Sequence, residues 1–145
     1  MDIEKIKNSI RNIPDFPKKG IQYKDITPLL KNHNAFNESI EIFYNKFVSE
    51  NVDVVVGIES RGFIFAAPLS LRLGAQLVIA RKPNKLPGEK ISQSYQLEYG
   101  SDSIEMHSDS ITKNDKVIVI DDLLATGGTA NAVGKLISKL DGNII

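Results

Sequence analysis

Three short segments of β-branched and other apolar residues constrain how this chain can fold. VDVVVGI covers residues 52–58, QLVIA covers residues 76–80 and KVIVI covers residues 116–120. Apolar runs of this length, separated by turns and helical segments, are typical of parallel strands that are covered on both faces. We therefore predict an α/β fold with a parallel central sheet flanked by helices.

The rest of the chain supplies helices and one antiparallel hairpin. The spacing of apolar residues predicts helices over residues 2–12, 34–48, 63–73 and 127–140. We expect Asn34 to cap the second helix, and Pro68 to bend the third or confine it to a first turn. Residues 21–23 should be extended, and residues 143–145 should begin a further strand. The alternation around Tyr95 and Ile104 predicts a hairpin that turns at residues 100–102.

Composition excludes several classes of function. The 145 residues suit one domain, so we expect a single domain over residues 1–145. The balance of 18 basic against 18 acidic residues argues against nucleic acid as the main partner. The chain has no cysteine, which excludes disulfides and thiolate metal sites, and His33 and His107 have no metal-ligand spacing. It lacks a signal-like N-terminus and any apolar run of membrane-spanning length, so we expect a cytoplasmic protein without a membrane partner.

Two aspartates, Asp121 and Asp122, follow the third apolar segment, and TGGT at residues 126–129 opens the next predicted helix. The N–H groups and the dipole of a helix N-terminus attract phosphate, and glycines let the backbone approach it. Carboxylates bind a vicinal diol through charge-assisted hydrogen bonds. The segment therefore predicts a site for ribose 5-phosphate. The structural alternative, for either half alone, is a capped strand end with a tight turn.

A second loop, GIESRGF at residues 57–63, also follows a predicted strand and precedes a helix. Phe63 and Ile64 stand where a nucleoside triphosphatase loop needs Lys and Ser or Thr, which argues against that class. A second anion site containing Arg61 remains, unless Arg61 is only a surface ion-pair partner. Two anion sites around one diol site predict a sugar with phosphate at one end and pyrophosphate at the other. Arg61 and Gly128 should then face one crevice.

Positive charge is concentrated in the polar segment 81–93. Its basic residues are Arg81, Lys82, Lys85 and Lys90, and two prolines and a glycine accompany them. One interpretation is a solvated loop. The other is a cationic lid that closes over pyrophosphate and excludes water, since a sugar cation formed in the open would be hydrolysed.

These motifs resemble those of a known family. VIVIDDLLATGGTA, residues 117–130, resembles the signature of the type I phosphoribosyltransferases, which bind phosphoribosyl pyrophosphate, and ESRGF resembles their pyrophosphate loop. The resemblance implies that Asp121 and Asp122 hold the ribose hydroxyls. It assigns the 5-phosphate to Ala125, Thr126, Gly127, Gly128 and Thr129. It assigns the pyrophosphate to Glu59, Ser60, Arg61, Arg81, Lys82 and Lys85, with a cis peptide between Glu59 and Ser60.

Three further segments, RKPNKLPGE, SYQLEYG and DFPKKGIQYKDITPLL, resemble the adenine-specific branch of that family. The matching motifs run from Ile13 to Gly142. They imply an N-terminal hood that binds the base, with Tyr23 stacked on the purine and backbone groups of Gln22 and Lys24 paired with its edge. The branch usually has Val, Phe and Arg at residues 22, 23 and 24, so the Gln22 amide could also recognise a base edge.

The same resemblance implies the chemistry. It places Glu98, Tyr99 and Arg61 as catalytic residues, with Glu98 managing a proton at the purine nitrogen N7. The implied reaction transfers the 5-phosphoribosyl group from phosphoribosyl pyrophosphate to adenine, giving AMP and pyrophosphate in purine salvage. Magnesium should arrive with the substrate and without a direct protein ligand. We also expect a homodimer.

Two alternatives stay open at this point. One is another purine phosphoribosyltransferase, and the other is a non-catalytic regulator that binds phosphoribosyl pyrophosphate. Regulators of this kind usually carry a DNA-binding domain, and no basic recognition helix precedes Ile13. Members of the family continue past the position of Ile145, so we expect the C-terminal strand to be truncated.

Overall fold

The computed structural model describes residues 3–145, which form two compact units, one up to Lys46 and one from Phe47 onward. The first unit contains α1 (Ile3–Asn8), β1 (Arg11–Pro14), β2 (Gln22–Asp25), α2 (Thr27–Lys31) and α3 (His33–Phe47). The second contains β3 (Val54–Ile58), α4 (Gly62–Leu73), β4 (Gln76–Ala80), β5 (Lys90–Gln96), β6 (Ser101–His107), β7 (Lys116–Ile120), α5 (Gly128–Lys139) and β8 (Asn143–Ile144).

The second unit is built on a four-stranded parallel sheet with the strand order β4-β3-β7-β8. The central strand β3 is buried along its whole length, as its apolar sequence requires. α4 packs against β3 and β4, and α5 packs against β7 and β8. This arrangement confirms the predicted α/β fold with a parallel central sheet. β4 and β7 have the predicted bounds, and β3 begins at Val54 rather than Val52.

The predicted hairpin is also present, as a separate antiparallel pair of β5 and β6. Ile104 and Met106 on β6 are fully buried in the same apolar core as the inner face of α5. At its base the hairpin is joined to the end of β4, because Arg81 and Glu105 exchange backbone hydrogen bonds of 2.9 and 2.8 Å. The hairpin is therefore an extension of the sheet core and not a detached loop.

The turn of this hairpin differs from the prediction. The strands end at Gln96 and Ser101, and the Leu97 N–H donates to the Gly100 carbonyl at 3.0 Å. The turn therefore spans residues 97–100, not 100–102. Gly100 adopts a positive φ of 85°, which glycine allows without strain, and this fixes where the chain reverses.

The predicted helix over residues 2–12 is confirmed from Ile3 to Asn8 and wrong beyond it, and residue 2 lies outside the described residues. α1 ends at Asn8, and Arg11–Pro14 forms β1, which pairs with Gln22–Asp25 in antiparallel register. The pairing supplies backbone hydrogen bonds to the facing edge of each segment. It is a contact between segments distant in the chain, which the helical spacing of the isoleucines does not reveal.

Three smaller corrections concern helix ends and interiors. The short helix α2 was not predicted, although Pro28 in its first turn favours a helix start. The cap before α3 is Asn32 rather than Asn34, since its side-chain oxygen accepts the Ala35 N–H at 3.2 Å. Pro68 lies inside α4, which continues to Leu73 and is not confined to a first turn.

No helix among the described residues is both long and apolar enough to cross a membrane.

A buried carboxylate ties the first unit together. Asp25, 7% exposed, accepts hydrogen bonds from the Arg11 guanidinium at 2.6 Å and the Thr27 hydroxyl at 2.9 Å through Oδ2, and from the Thr27 N–H at 2.9 Å through Oδ1. These bonds, that of the Thr27 N–H first and those of Arg11 next, lower the pKa of Asp25 to about 2. The carboxylate therefore connects β1 to the end of β2 and to the start of α2.

We predict that Asp25→Asn destabilises the protein in a pH-dependent way. Because the pKa of Asp25 is lowered on folding, its stabilisation is complete above about pH 4 and is lost as the pH falls through about 2. Urea unfolding followed by circular dichroism should give a lower midpoint for Asp25→Asn than for wild type at pH 7, with a smaller difference at pH 3. The exposed Asp109→Asn variant is the control, and equal midpoints for all three proteins at pH 7 would contradict the assignment.

Candidate functional site

The two predicted anion-binding loops leave the same edge of the sheet. β3 and β7 are parallel neighbours with Gly57 opposite Ile120, so the segments that follow them begin side by side. The guanidinium of Arg61, in the first loop, lies with its Nε 3.0 Å from Asp122 Oδ2, in the second loop. The side chain of Asp122 is 6% exposed and that of Arg61 is 32% exposed. The structure thus brings together one residue from each predicted loop.

Gly62 lets these two loops approach each other closely. A Cβ added at Gly62 would lie 2.8 Å from the Ile120 carbonyl oxygen and 3.1 Å from Asp121 Oδ1. Both distances are shorter than ordinary van der Waals contact, and the first involves backbone that cannot yield easily. A side chain at this position would push α4 away from the end of β7.

The two aspartates have unequal environments. Asp121 Oδ1 accepts the Asp122 N–H at 2.8 Å, and Asp122 pairs with Arg61. Burial, and then the neighbouring negative charge of Asp122, raise the pKa of Asp121 to about 6, although the Asp122 N–H and the charge of Arg61 act in the opposite direction. An ionised Asp121 is therefore destabilised until a hydrogen-bond donor or a cation arrives.

The second loop ends in an open helix N-terminus. Gly127 precedes α5 with a left-handed φ of 82°, and the first intrahelical hydrogen bond runs from the Asn131 N–H to the Gly127 carbonyl at 2.9 Å. The Gly128 N–H donates to Thr126 Oγ1 at 3.4 Å, whereas the N–H groups of Thr129 and Ala130 precede the first intrahelical bond and point out of the helix. Ala125 and Thr126 are exposed. This geometry, together with the positive end of the helix dipole, is suited to an anion.

Glu59 gathers the basic residues of the 81–85 segment. Its carboxylate, 7% exposed, pairs with the Lys85 ammonium and accepts the Lys82 N–H at 2.7 Å. Arg81 Nε lies 3.4 Å from Glu59 Oε2, an ion-pair distance without a hydrogen bond to that nitrogen. Burial alone would raise the pKa of Glu59, but the bonds from Lys85 and Lys82 and the charges of Lys85 and Arg81 outweigh it and lower that pKa. The peptide between Glu59 and Ser60 is cis, as the resemblance implied.

The structure places Glu98 and Tyr99 in the exposed turn of the β5–β6 hairpin. Tyr99 is 87% exposed, so its ring packs against little of the chain. Lys82, by contrast, reaches the base of this turn. Its Nζ donates to Asp102 Oδ2 at 2.5 Å and to the Tyr95 hydroxyl at 2.7 Å. Sequence reasoning missed Asp102 and Tyr95, because the first resembled a turn residue and the second a core residue.

The residues predicted to bind the base lie on β2 in the first unit. Lys24 and Gln22 are exposed and Tyr23 is half-buried. The rings of Tyr23 and Phe16 meet edge to face, with centroids 5.0 Å apart and planes at 76°. Gln22 Oε1 accepts a hydrogen bond from the Asn12 amide at 2.8 Å, so its side chain is engaged within the hairpin of β1 and β2.

The described residues hold no preformed metal centre. Nowhere in residues 3–145 do three His, Cys, Asp or Glu side chains gather in a way that could bind a metal ion. His107 Nε2 lies 2.7 Å from the Pro87 carbonyl oxygen, so this ring is engaged by the backbone of a neighbouring loop.

Residues 25–145 match the phosphoribosyl transferase domain family. An adenine phosphoribosyltransferase of Geobacter metallireducens is 51% identical over 143 residues, which cover 99% of this chain and 84% of that relative. The chain belongs to the adenine phosphoribosyltransferase family. This assignment confirms the resemblance seen in the sequence, and with it the type I phosphoribosyltransferase fold.

Solved structures of the family have the same fold. The crystal structure of adenine phosphoribosyltransferase from Thermoanaerobacter pseudethanolicus is similar with a TM-score of 0.95 and 51% identity, covering 98% of this chain and 83% of that one. The Saccharomyces cerevisiae enzyme, complexed with D-2,5-dideoxy-2,5-imino-altritol 1,6-bisphosphate and adenine, is similar with a TM-score of 0.93 and 38% identity, covering 98% and 83%.

We predict that Gly62→Ala forces the two loops apart. Its Cβ would meet the Ile120 carbonyl oxygen, so we expect a loss of about 1–3 kcal/mol in the free energy of unfolding, as for other overpacked sites. The matched control is Gly134→Ala in the interior of α5, where the nearest atom, Ile144 Cδ1, would be 3.4 Å away. There alanine should stabilise the helix by about 0.5–1 kcal/mol. If Gly62→Ala and Gly134→Ala unfolded at the same urea concentration, the proposed steric conflict at Gly62 would be wrong.

We also predict a pH-dependent gain in stability for Asp121→Asn. Because the pKa of Asp121 is raised on folding, the unfolded chain loses this proton first, and the folded state loses stability as the pH rises from about 4 to about 6. Wild type and Asp121→Asn should therefore have similar urea midpoints at pH 3.5, and the variant should be the more stable at pH 7.5. Asp109→Asn should show no such divergence. A constant difference between wild type and Asp121→Asn across this range would contradict the raised pKa.

Proposed function

We propose that this protein transfers the 5-phosphoribosyl group from phosphoribosyl pyrophosphate to adenine, giving AMP and pyrophosphate in purine salvage. The observation that carries the proposal is the ion pair of Arg61 and Asp122, which joins at one sheet edge the loop proposed to bind pyrophosphate and the loop proposed to bind the ribose hydroxyls. The relatives named adenine phosphoribosyltransferase support it. So does the S. cerevisiae relative, whose structure contains a bisphosphate together with adenine.

The sugar would bind along the second loop. Asp121 and Asp122 would accept hydrogen bonds from the ribose hydroxyls, which supply the donors that a buried carboxylate pair requires. The first turn of α5 and the glycines before it would hold the 5-phosphate. The residues proposed for the phosphate are Ala125, Thr126, Gly127, Gly128 and Thr129.

The pyrophosphate would bind beside the first loop. Ser60 and Arg61 lie there, and Arg81, Lys82 and Lys85 are gathered on the same loop by Glu59. The carboxylate of Glu59 would repel pyrophosphate if it met it directly. We therefore assign Glu59 the task of ordering these cations, with only its backbone next to the anion.

The chemistry would follow from these positions. The bond between the anomeric carbon and a pyrophosphate oxygen breaks, and a bond between that carbon and purine N9 forms. Arg61 and the lysines stabilise the charge that develops on pyrophosphate, and the aspartates fix the ring. The purine loses a proton from N7, which the Glu98 carboxylate accepts when the hairpin tip covers the site. Tyr99 would close the site on the same turn.

Magnesium fits this donor set as part of the substrate complex. Mg²⁺ prefers substrate oxygens and water, so the pyrophosphate and the ribose hydroxyls would hold it without a direct protein ligand, in keeping with the absence of a three-ligand cluster among residues 3–145. When bound, it would neutralise pyrophosphate oxygens and so favour departure of the leaving group.

Adenine would be read by β2 in the first unit. Tyr23 would stack on the purine, and its edge-to-face contact with Phe16 holds the ring orientation. Since the Gln22 amide already bonds to Asn12, the backbone of Gln22 and Lys24 is the better candidate for reading the base edge. This favours adenine over another purine.

We further propose that the protein acts in the cytoplasm as a homodimer.

We predict that Glu98→Gln slows turnover while leaving substrate binding nearly intact. Loss of a proton acceptor should lower kcat by about 10²–10⁴-fold, with KM values within a few-fold of wild type. Conversion of labelled adenine to AMP, with hypoxanthine and guanine as competitors, measures both rate and selectivity. Glu89→Gln removes an exposed carboxylate just before β5 and should keep wild-type kcat.

Equal rates for Glu98→Gln and wild type would remove Glu98 from the mechanism. Wild type that binds phosphoribosyl pyrophosphate but forms no nucleotide would favour the regulator, and preference for hypoxanthine or guanine would favour another purine phosphoribosyltransferase.

A further inference from the structure

The side chain of Lys82 bonds to residues of the β5–β6 hairpin and not to the first loop. Its Nζ donates to Asp102 Oδ2 at 2.5 Å and to the Tyr95 hydroxyl at 2.7 Å, and it lies 5.4 Å from the centroid of the Tyr95 ring. The Tyr95 hydroxyl lies 3.3 Å from the same Asp102 oxygen. Lys82, Tyr95 and Asp102 thus form one small polar cluster, called here the hairpin clasp.

The hairpin clasp lies next to the turn that carries Glu98. Tyr95 and Asp102 are directly opposite each other on β5 and β6, one pair before the last pair of the hairpin. The Tyr95 ring also lies against the start of α5, since a Cβ at Gly128 would be 3.5 Å from it. The clasp therefore connects the basic segment, the hairpin tip and the phosphate-binding helix start.

The backbone and the side chain of Lys82 are held by different acids. Its N–H bonds to the buried Glu59, so the chain at Lys82 stays on the first loop whatever the ammonium does. The ammonium and the Asp102 carboxylate are both about one-third exposed, at 36% and 32%. An ion pair at this exposure contributes little to stability and can exchange partners, and pyrophosphate offers far more negative charge than one carboxylate.

Lys82 and Asp102 are both charged when they are hydrogen-bonded to each other. The hydrogen bond from Lys82 lowers the pKa of Asp102. Burial acts to lower the pKa of Lys82, but its bonds to Asp102 and Tyr95 outweigh burial and raise it. The competition is therefore between two anions for one permanent cation.

We propose that Asp102 is a positioning residue that competes with pyrophosphate for Lys82. In the ligand-free protein Asp102 holds the ammonium and, through it, the hairpin tip. When the pyrophosphate group of the substrate takes Lys82, the tip that bears Glu98 is released to move over the site. This inference rests on the proposed pyrophosphate site.

The decisive test is a double-mutant cycle on the affinity for magnesium pyrophosphate, measured by calorimetry. Asp102→Asn should bind magnesium pyrophosphate about three- to fivefold more tightly than wild type, because Lys82 no longer has a competing anion. In a Lys82→Met background the same substitution should have no effect. Asp102→Glu should restore wild-type affinity. Asp109→Asn, which removes one exposed negative charge beyond the end of β6, should leave it unchanged.

Two further readouts separate positioning from a purely structural effect. Asp102→Asn should lower KM for phosphoribosyl pyrophosphate by a similar factor, without the large loss of kcat expected at Glu98. Hydrogen exchange of peptides covering residues 93–102 should be about three- to fivefold faster in Asp102→Asn than in wild type when no ligand is added, with Asp109→Asn unchanged.

Several outcomes would overturn the proposal. An equal gain from Asp102→Asn in the Lys82→Met background would show that only long-range charge repulsion was relieved. Unchanged affinity in Asp102→Asn, or wild type that binds no magnesium pyrophosphate, would also overturn it. The cycle as predicted, in a protein that forms no AMP from adenine, would support the clasp while rejecting the proposed function.

Discussion

The close approach of two loops at the end of neighbouring parallel strands is the constraint on which the rest of the site depends. Gly62 permits it, because no side chain separates the start of α4 from the Ile120 carbonyl and Asp121. The Arg61–Asp122 ion pair then spans the gap. The side-by-side placement of the two loops follows from sheet topology, since parallel neighbours deliver their loops to one edge.

Positive charge around the two loops is balanced locally by acids. Glu59 offsets the basic segment, Asp102 offsets Lys82, and Arg61 offsets Asp122. Each pair satisfies a cation that would otherwise be partly desolvated, and each must be rearranged or extended when a polyanion binds. Asp121, by contrast, is not stabilised in its charged form, because burial and the nearby charge of Asp122 raise its pKa. Hydrogen bonds from substrate hydroxyls would stabilise the Asp121 carboxylate, so binding of the sugar would be favoured by this site.

Sequence reasoning succeeded where structure is dictated by local pattern. The apolar runs predicted β4 and β7 to the residue, and the glycine loops after β3 and β7 identified the segments that the sheet brings together. The predictions failed where the conformation depends on contacts with other segments of the chain. Pairing of Arg11–Pro14 with β2 overrode the helical spacing before it, and no local pattern distinguishes Asn32 from Asn34 as the cap of α3. Asp102 also looked unremarkable, because only the folded chain brings Lys82 to it.

The hairpin of β5 and β6 is held by backbone bonds and apolar burial at its base, whereas near its tip the hairpin clasp holds it through partly exposed polar contacts. Its base is stitched to β4 through Arg81 and Glu105, and Ile104 and Met106 are sealed in the core, whereas residues 97–100 are exposed. The pivot of any swing must therefore lie beyond Ile104, and the travelling part is only a few residues long. Substitutions in these few residues would therefore change the tip of the hairpin while leaving the apolar core around Ile104 and Met106 as it is.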